Sequence, residues 1–305
     1  MSRRILVTGA TGFIGRTTLQ PLLDQGFEVV ALTSRAVEGG VDGVRYVQAD
    51  LTDPAAMEKI VSDIQATDLL HLAWRAVISG LWTAPENMDW LQISLNLAQA
   101  FVKAGGKRMT VCGSSGDYDW GSGLCTEGGV TPLMPSTFYG RAKVALYHAL
   151  AGYCDTNDVA FAWARVFFVY GPGEHPSRLG ASVAISLLKG EEALCSHGMQ
   201  LRDYMHVEDV GRGLAALAVS DLTGDYNLGS GVAVRVKDVI LGLADAAGRP
   251  DLVKLGARSA PAYEPPLIVA DMTKTRASGL DWTPKFDLKS GTEHTIDWFR
   301  AAHSG

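Results

Sequence analysis

Tyr139 and Lys143 stand in the stretch Ser136-Thr-Phe-Tyr139-Gly-Arg-Ala-Lys143. On a helix this spacing puts both side chains on one face, one turn apart. A phenol with a pKa of about 10 exchanges its proton poorly at neutral pH. A neighbouring ammonium favours the phenolate and lowers that pKa. The pair therefore makes an acid/base device for a carbonyl or an alcohol. The same spacing also suits an amphipathic helix with a core tyrosine and a solvated lysine, so its surroundings must decide. Arg108-Met-Thr-Val-Cys-Gly113 reads as a strand ending in Ser114-Ser115. A hydroxyl at Ser114 can hydrogen-bond the oxygen that Tyr139 protonates; the plainer reading is a turn serine.

The elements that must position these groups begin at the amino terminus. Ile5-Leu6-Val7-Thr8 reads as a buried strand. It runs into Gly9-Ala-Thr-Gly12-Phe-Ile-Gly15 and then a helical pattern with Leu19, Leu22 and Leu23. Glycines in a strand-to-helix turn let the backbone approach a pyrophosphate, and the helix N-terminus offers free N–H groups. Glu28 to Thr33 reads as a second strand, ending in Thr33-Ser34-Arg35. An acid at that end would hold a ribose 2′-hydroxyl. Here Ser34 and Arg35 suit a 2′-phosphate instead, so NADP(H) is the expected cofactor, with NAD(H) the alternative. Arg45 to Leu51, Asp68 to Ala73, Arg108 to Gly113 and Val159 to Val169 read as further strands with helices between. This alternation implies an α/β fold, a doubly wound parallel sheet of the Rossmann type, with a smaller C-terminal α/β substrate-binding domain. The expected division is 1–170 for dinucleotide and 171–305 for substrate, with segments crossing back. The Gly-rich connection from Gly116 to Pro135 carries Tyr118, Trp120, Leu124 and Leu133, and reads as a loop over the site.

Bulk properties narrow the class. The net charge of −6 argues against a nucleic-acid partner. No apolar run is long enough to span a membrane, and a cytoplasmic enzyme is the expectation. Cys112, Cys125, Cys154 and Cys195 show neither close pairing nor metal-ligand spacing, so no metal is expected and the thiols read as reduced.

Together these stretches resemble the extended short-chain dehydrogenase/reductase family, specifically its nucleotide-sugar epimerases, dehydratases and reductases. The resemblance covers nearly the whole chain. It implies cofactor contacts from Gly9, Thr11, Gly12, Phe13, Ile14 and Gly15, an adenine contact from Asp50 and Leu51, and a cofactor-side segment at His71-Leu72-Ala73. It implies catalytic roles for Ser114, Tyr139 and Lys143, with Ser115 as the alternative hydroxyl and Lys143 also holding the nicotinamide ribose. Leu201-Arg-Asp-Tyr-Met-His206 resembles a segment whose arginine contacts the nucleotide diphosphate, which makes Arg202 the leading substrate residue. By position alone, Trp74, Arg75, Trp82, Thr137, His175 and Arg178 are candidates for the substrate pocket. Helices near 89–104 and 139–152 resemble the family's homodimer pair.

Three departures shape the expected activity. Dehydratases of the family place Asp-Glu after the catalytic hydroxyl residue, where this chain has Ser115-Gly116. A 4,6-dehydratase is therefore not expected. Phe168 stands where many members have an asparagine. The nearest candidate for their C-terminal arginine is Arg258, shifted along the chain. The expected activity is reduction of a nucleotide-linked 4-keto(-6-deoxy) sugar. A 4-epimerase with retained cofactor is the alternative, and a non-catalytic NADP(H) sensor on the same fold is the alternative outside enzymes.

Overall fold

A computed structural model describes residues 3–74, 80–260 and 264–303. In chain order its strands are β1 (Arg4–Thr8), β2 (Glu28–Thr33), β3 (Arg45–Gln48), β4 (Asp68–His71), β5 (Arg108–Ser114), β6 (Leu124–Cys125), β7 (Ala160–Val166), β8 (Phe168–Tyr170), β9 (Ala193–Leu194), β10 (Leu201–His206), β11 (Gly224–Leu228), β12 (Ala233–Arg235), β13 (Val253–Lys254) and β14 (Leu267–Ala270). The helices are α1 (Leu19–Asp24), α2 (Pro54–Ile64), α3 (Glu86–Lys103), α4 (Phe138–Thr156), α5 (Leu179–Leu188), α6 (Val207–Val219), α7 (Val236–Ala247), α8 (Thr273–Ala277) and α9 (Leu288–His303).

Ile5, Leu6 and Val7 are wholly buried, as a strand covered on both faces requires. They lie in a seven-stranded sheet of order β11-β7-β5-β4-β1-β2-β3. Every pairing in it is parallel. One face packs on α2, α3 and α4 through Leu97, Phe101, Leu146 and Trp163. The other packs on α1 and α6 through Leu19, Leu22, Leu214 and Ala215. The strand order reverses between β1 and β4. In a doubly wound sheet the ligand crevice lies there, outside the carboxyl ends of the strands. Thr8 and His71 end those two strands, and Ser114 ends the next one out.

A second sheet of order β12-β10-β14-β6, with β8 added on β10, and a two-stranded parallel sheet of β9 and β13 hold the remaining strands. Helices α5, α7 and α9 share a separate apolar cluster around Val183, Ile240, Leu243 and Ile296. The expected sixth strand divides here. Ala160–Val166 stays in the large sheet, whereas Phe168–Tyr170 pairs with Tyr204–His206 in the second. Val166 and Phe167 are both buried, so one apolar run spans the change of sheet and conceals it. After that excursion α6 and β11 return to the large sheet, so a cut at 170 separates β11 from the strands it pairs with. β3 ends before Asp50, which stands just past the strand as its sequence position implied, and its carboxylate accepts from Thr52 N at 2.9 Å and Thr52 Oγ1 at 2.7 Å. Among the described residues no helix is long and apolar enough to cross a membrane.

Candidate active site

The glycine turn fits a dinucleotide. Gly9 has φ +71°, and a Cβ there would lie 2.7 Å from Ala73 N. A Cβ on Gly15 would overlap the Gly9 carbonyl. The turn closes through Gly12 N donating to Gly9 O at 3.0 Å. Only glycine lets β1, the turn and the end of β4 approach this closely. Thr11 and Gly12 are exposed, and Phe13 and Ile14 are half-buried. Thr8 Oγ1 accepts from Ala73 N at 3.3 Å, which places Leu72 and Ala73 beside the turn.

His71, read from sequence only as part of this segment, is an internal brace. Ser94 Oγ donates to Trp90 O at 2.7 Å, so it accepts from His71 Nε2 at 2.9 Å. Nδ1 is then the acceptor for Thr8 Oγ1 at 2.6 Å. The ring is neutral, because burial, with Lys143 adding to it, lowers its pKa to about 3. At the end of β2, Ser34 and Arg35 are exposed, and the Arg35 side chain has no hydrogen-bond or ion-pair partner among the described residues. Asp50 is exposed, and Leu51 packs partly on the core beside α2.

Tyr139 and Lys143 lie in the first two turns of α4. Thr137, a pocket candidate by position, is instead its N-cap and accepts from Gly140 N at 3.1 Å. That bond replaces a partner that the first helical turn lacks. Gly140 packs on the Gly116 carbonyl so closely that a Cβ would overlap it and lie 2.5 Å from Pro135 Cβ. This approach seats the start of α4 against the turn that carries Ser114. Ser114 and Tyr139 meet at this turn: Ser114 Oγ and Tyr139 Cε1 lie 3.2 and 3.5 Å from where a Cβ on Gly116 would stand, and Ser114 favours the phenolate. Ser114 Oγ accepts from Gly116 N at 3.0 Å. Trp74 and Trp82 meet the Tyr139 ring edge-on at 6.0 and 5.6 Å, and Trp120 meets Trp82 at 5.4 Å. Trp120 Nε1 donates to Ser115 O at 2.7 Å. Arg75 lies outside the described residues.

Lys143 is buried, its Nζ donating to Cys112 O at 3.0 Å and lying 4.0 Å from the centre of the Trp74 ring. The sequence argument expected Lys143 to lower the pKa of Tyr139. Burial dominates instead: it raises the phenol, Asp117 adds to the rise, and the hydrogen bond from Ser114 opposes it. The phenol is therefore the resting form. Burial in turn lowers the Lys143 ammonium. Cys112, pushed up to about 11 chiefly by burial, is a thiol rather than a nucleophile.

With that geometry established, the NAD dependent epimerase/dehydratase family model matches residues 5–229. The chain belongs to that family. It is 27% identical over 318 residues to a UDP-glucose 4-epimerase of Mycolicibacterium smegmatis, covering 97% of this chain and 98% of that one. It is 24% identical over 235 residues to a dTDP-6-deoxy-L-talose 4-dehydrogenase (NAD(+)) of Aggregatibacter actinomycetemcomitans, covering 74% of this chain and 84% of that one. Among solved structures it resembles the Thermus thermophilus UDP-glucose 4-epimerase complex with NAD, at a TM-score of 0.82 and 27% identity, over 98% of this chain and 99% of that one. It is thus an extended short-chain dehydrogenase/reductase of the nucleotide-sugar epimerase/dehydratase type, an NAD-dependent class.

In this family member helix α5 and the β9 segment enclose a cavity of about 240 Å3, whose lining includes Leu179, Val183, Ala193, Cys195, Glu192 and Arg258. Arg258, though shifted along the chain, is among its walls. Arg202 is enclosed rather than presented. It donates to Leu201 O and Pro265 O at 2.8 Å each and pairs with Glu264 at 3.0 Å. It pairs with neither Asp203 nor Asp209, the acids close to it in sequence. Asp203 instead accepts from Ser230, Gly231 and Ala270. His175 is exposed and bonds Ser177 at 3.0 Å. Arg178 is exposed just ahead of α5, and its charge reaches Tyr139, Glu174 and Tyr204.

Sequence reading passed over several residues around this site. Asp117 follows Ser114 at the spacing of a capping box, a signal that was available. Trp163 and Glu174 carried no comparable signal. His206, Glu208 and His294 also gather within 4.8 Å. His206 Nδ1 accepts from Glu208 N at 3.3 Å, so Nε2 keeps its proton and donates to His294 Nδ1 at 3.3 Å. The buried ring has no lone pair left for a cation.

Glu174 is buried, and its Oε2 accepts from Ala181 N at 2.9 Å in the first turn of α5. Burial raises its pKa from 4.5 to about 7. Between those values the folded chain holds a proton that the unfolded chain has released. This group therefore makes stability fall as pH rises from about 4.5 to about 7, and contributes no further slope above. Glu174→Gln should remove that slope. In thermal melts the Tm of the variant should gain on the wild type between pH 5 and pH 7.5; parallel curves would show that Glu174 does not titrate this way.

Proposed function

We propose that this chain reduces the 4-keto group of a nucleoside-diphosphate-linked sugar, a 6-deoxy sugar being the preferred form, with NADPH as the preferred reductant. One observation carries the reading: the Ser114 hydroxyl and the Tyr139 ring meet at the start of α4, Lys143 lies one turn further along α4, and neither 115 nor 116 is a carboxylate. Gly9, Gly12 and Gly15 would receive the pyrophosphate of the dinucleotide, with Leu72 and Ala73 beside it. The dinucleotide, when bound, supplies the hydride. Tyr139 gives its phenolic proton to the sugar oxygen as charge develops there. Ser114 donates a hydrogen bond to the same oxygen, and Lys143 holds the ribose. Trp74, Trp82 and Trp120 wall the phenol from water. Elimination of water needs a carboxyl acid/base pair, which positions 115 and 116 do not supply.

The cavity around Val183, Ala193 and Arg258 offers the nucleoside diphosphate an apolar patch for the base and an arginine for phosphate, with Glu192 and three serines completing its walls. Arg178, between that cavity and Tyr139, would contact the substrate as it enters. Arg202 would act from behind, through the Glu264 segment it holds. Purified protein given NADPH and dTDP-4-keto-6-deoxyglucose should consume NADPH in proportion to sugar. No consumption across a panel of 4-keto nucleotide sugars would leave a dinucleotide-binding module without this reaction.

The free guanidinium at the end of β2 supports the cofactor preference. Arg35→Ala should lower the ratio of kcat/KM for NADPH over NADH by about 10- to 100-fold, the worth of one or two charge-assisted hydrogen bonds. An unchanged ratio ends the NADPH assignment. A second reading, 4-epimerisation with retained cofactor, is favoured by the whole-chain likeness to UDP-glucose 4-epimerases. It predicts interconversion of UDP-glucose and UDP-galactose with no net change in cofactor absorbance.

A further inference from the structure

Beneath Ser114 and Lys143 lies a charged side chain that the proposed reaction does not use. Asp117 is completely buried. Its Oδ2 accepts from Trp163 Nε1 at 2.8 Å, from Arg165 Nε at 3.3 Å and from Ser114 N at 3.5 Å. Its Oδ1 is also buried and has no hydrogen-bond partner. Burial raises the Asp117 pKa above the ordinary carboxylate range, and the Arg165 charge, the Trp163 bond, the Lys143 charge and Ser114 N oppose that rise, so the carboxylate is held as an ion by the Arg165 pair. Arg165 does not neutralise Asp117 alone, because it also pairs with Asp225, which bonds Lys274 at 3.0 Å. Part of the Asp117 charge therefore remains facing the reaction centre. Trp163 lies between the two: its Nε1 is bound to Asp117, and its ring centre is 6.0 Å from Lys143 Nζ.

We propose that Asp117 is a positioning residue of the reaction centre: its carboxylate ties the Ser114 turn to β7 and sets the local charge against which Tyr139 and Lys143 work. The inference rests on the reading of Tyr139 as the proton donor. The first half of it is geometric. Asp117 closes a capping box with Ser114 and anchors that turn to Trp163 and Arg165, so the Ser114 hydroxyl is held from two sides. The second half is electrostatic. An anion near a phenol disfavours the phenolate, and near an ammonium favours the charged form. Both effects have that sign here, on Tyr139 and on Lys143. The other groups that act on Tyr139 are Ser114 and Cys112 from β5 and Arg178 from ahead of α5, and Lys143 lies one turn further along the same helix. Of the carboxylates, Asp117 is the one that acts on the phenol. The result favours a phenol that keeps its proton until a strongly basic oxygen forms, as carbonyl reduction requires.

The test titrates the phenol directly and needs no substrate. The 295 nm phenolate absorbance is followed from pH 6 to pH 11 in the NADP+-saturated protein, where the positive oxidised nicotinamide favours the phenolate and brings its titration down into reach, and the same titration of Tyr139→Phe is subtracted. The pair Asp117→Asn and Asp117→Asn/Tyr139→Phe gives the second difference curve. The Tyr139 midpoint should lie about one pH unit lower in Asp117→Asn than in the wild type. Asp117→Glu, which keeps the charge, should return it most of the way. Equal midpoints in wild type and Asp117→Asn, or a Glu variant shifted as far as the Asn variant, would overturn the proposal. If Asp117→Asn does not fold, Asp117→Ser, which removes the charge and leaves room for water beside Trp163 and Arg165, takes its place, and a midpoint unmoved there overturns the proposal equally. Failure of the wild type to reduce any 4-keto nucleotide sugar would count against the proposed function and leave this titration standing.

Discussion

Tyr139→Phe should reduce turnover by about 100- to 10,000-fold, the range supplied by a positioned general acid. Its dinucleotide affinity should stay within about twofold of the wild type. The substitution removes one oxygen and keeps the ring between Trp74 and Trp82. Helix α4 is unaffected, because its start is held by Thr137 and by the close approach of Gly140 to Gly116 rather than by the phenol. The loss should appear in kcat and kcat/KM alike, since proton donation is felt only in the transition state. Single-turnover kinetics with cofactor binding measured separately will check it. Turnover like the wild type's would remove Tyr139 from the mechanism, and proton supply would have to come from Ser114 or from water.

Arg165→Leu should destabilise the fold by about 3–5 kcal/mol, the usual cost of removing one partner from a buried ion pair. Arg165 is wholly buried. It bonds Asp117 and Asp225, and its guanidinium lies 4.9 Å from the Tyr118 ring and 5.0 Å from the Tyr147 ring. Leucine fills much of that space but leaves the Asp117 carboxylate without its cation inside the protein. Protonating that carboxylate is then the less costly state, so the deficit should shrink as pH falls. Denaturant unfolding at pH 5 and pH 8 will show both the size and the trend. A cost below about 1 kcal/mol would mean that water or a rearranged side chain satisfies the acid. Arg165→Lys keeps the charge but not the planar fork, and should fall between leucine and the wild type.

The first half of the fold and the placement of Ser114, Tyr139 and Lys143 around the start of α4 were legible in the sequence because each rests on a local rule. Apolar strands alternating with amphipathic helices force a two-faced sheet. Gly9 and Gly15 mark a turn in which the backbone would collide with any side chain. The spacing of Tyr139 and Lys143 becomes one helical face as soon as α4 forms. The resemblance to a known family then connected Ser114 to them. The same local logic misjudged the phenol. It counted the neighbouring lysine but had no measure of how deeply both would be buried, and burial is the largest influence on the phenol.

What the tertiary structure alone decided are the partners chosen across the chain. Asp117 meets Arg165 across 48 positions, Thr8 meets His71 across 63, and Arg202 meets Glu264 across 62. The Phe167 change of sheet and the return of β11 to the Rossmann sheet belong to the same category. No periodicity specifies such pairings. A buried charge must find an opposite charge or a donor in whichever segment packing brings beside it, and that segment is known only when the layers have closed.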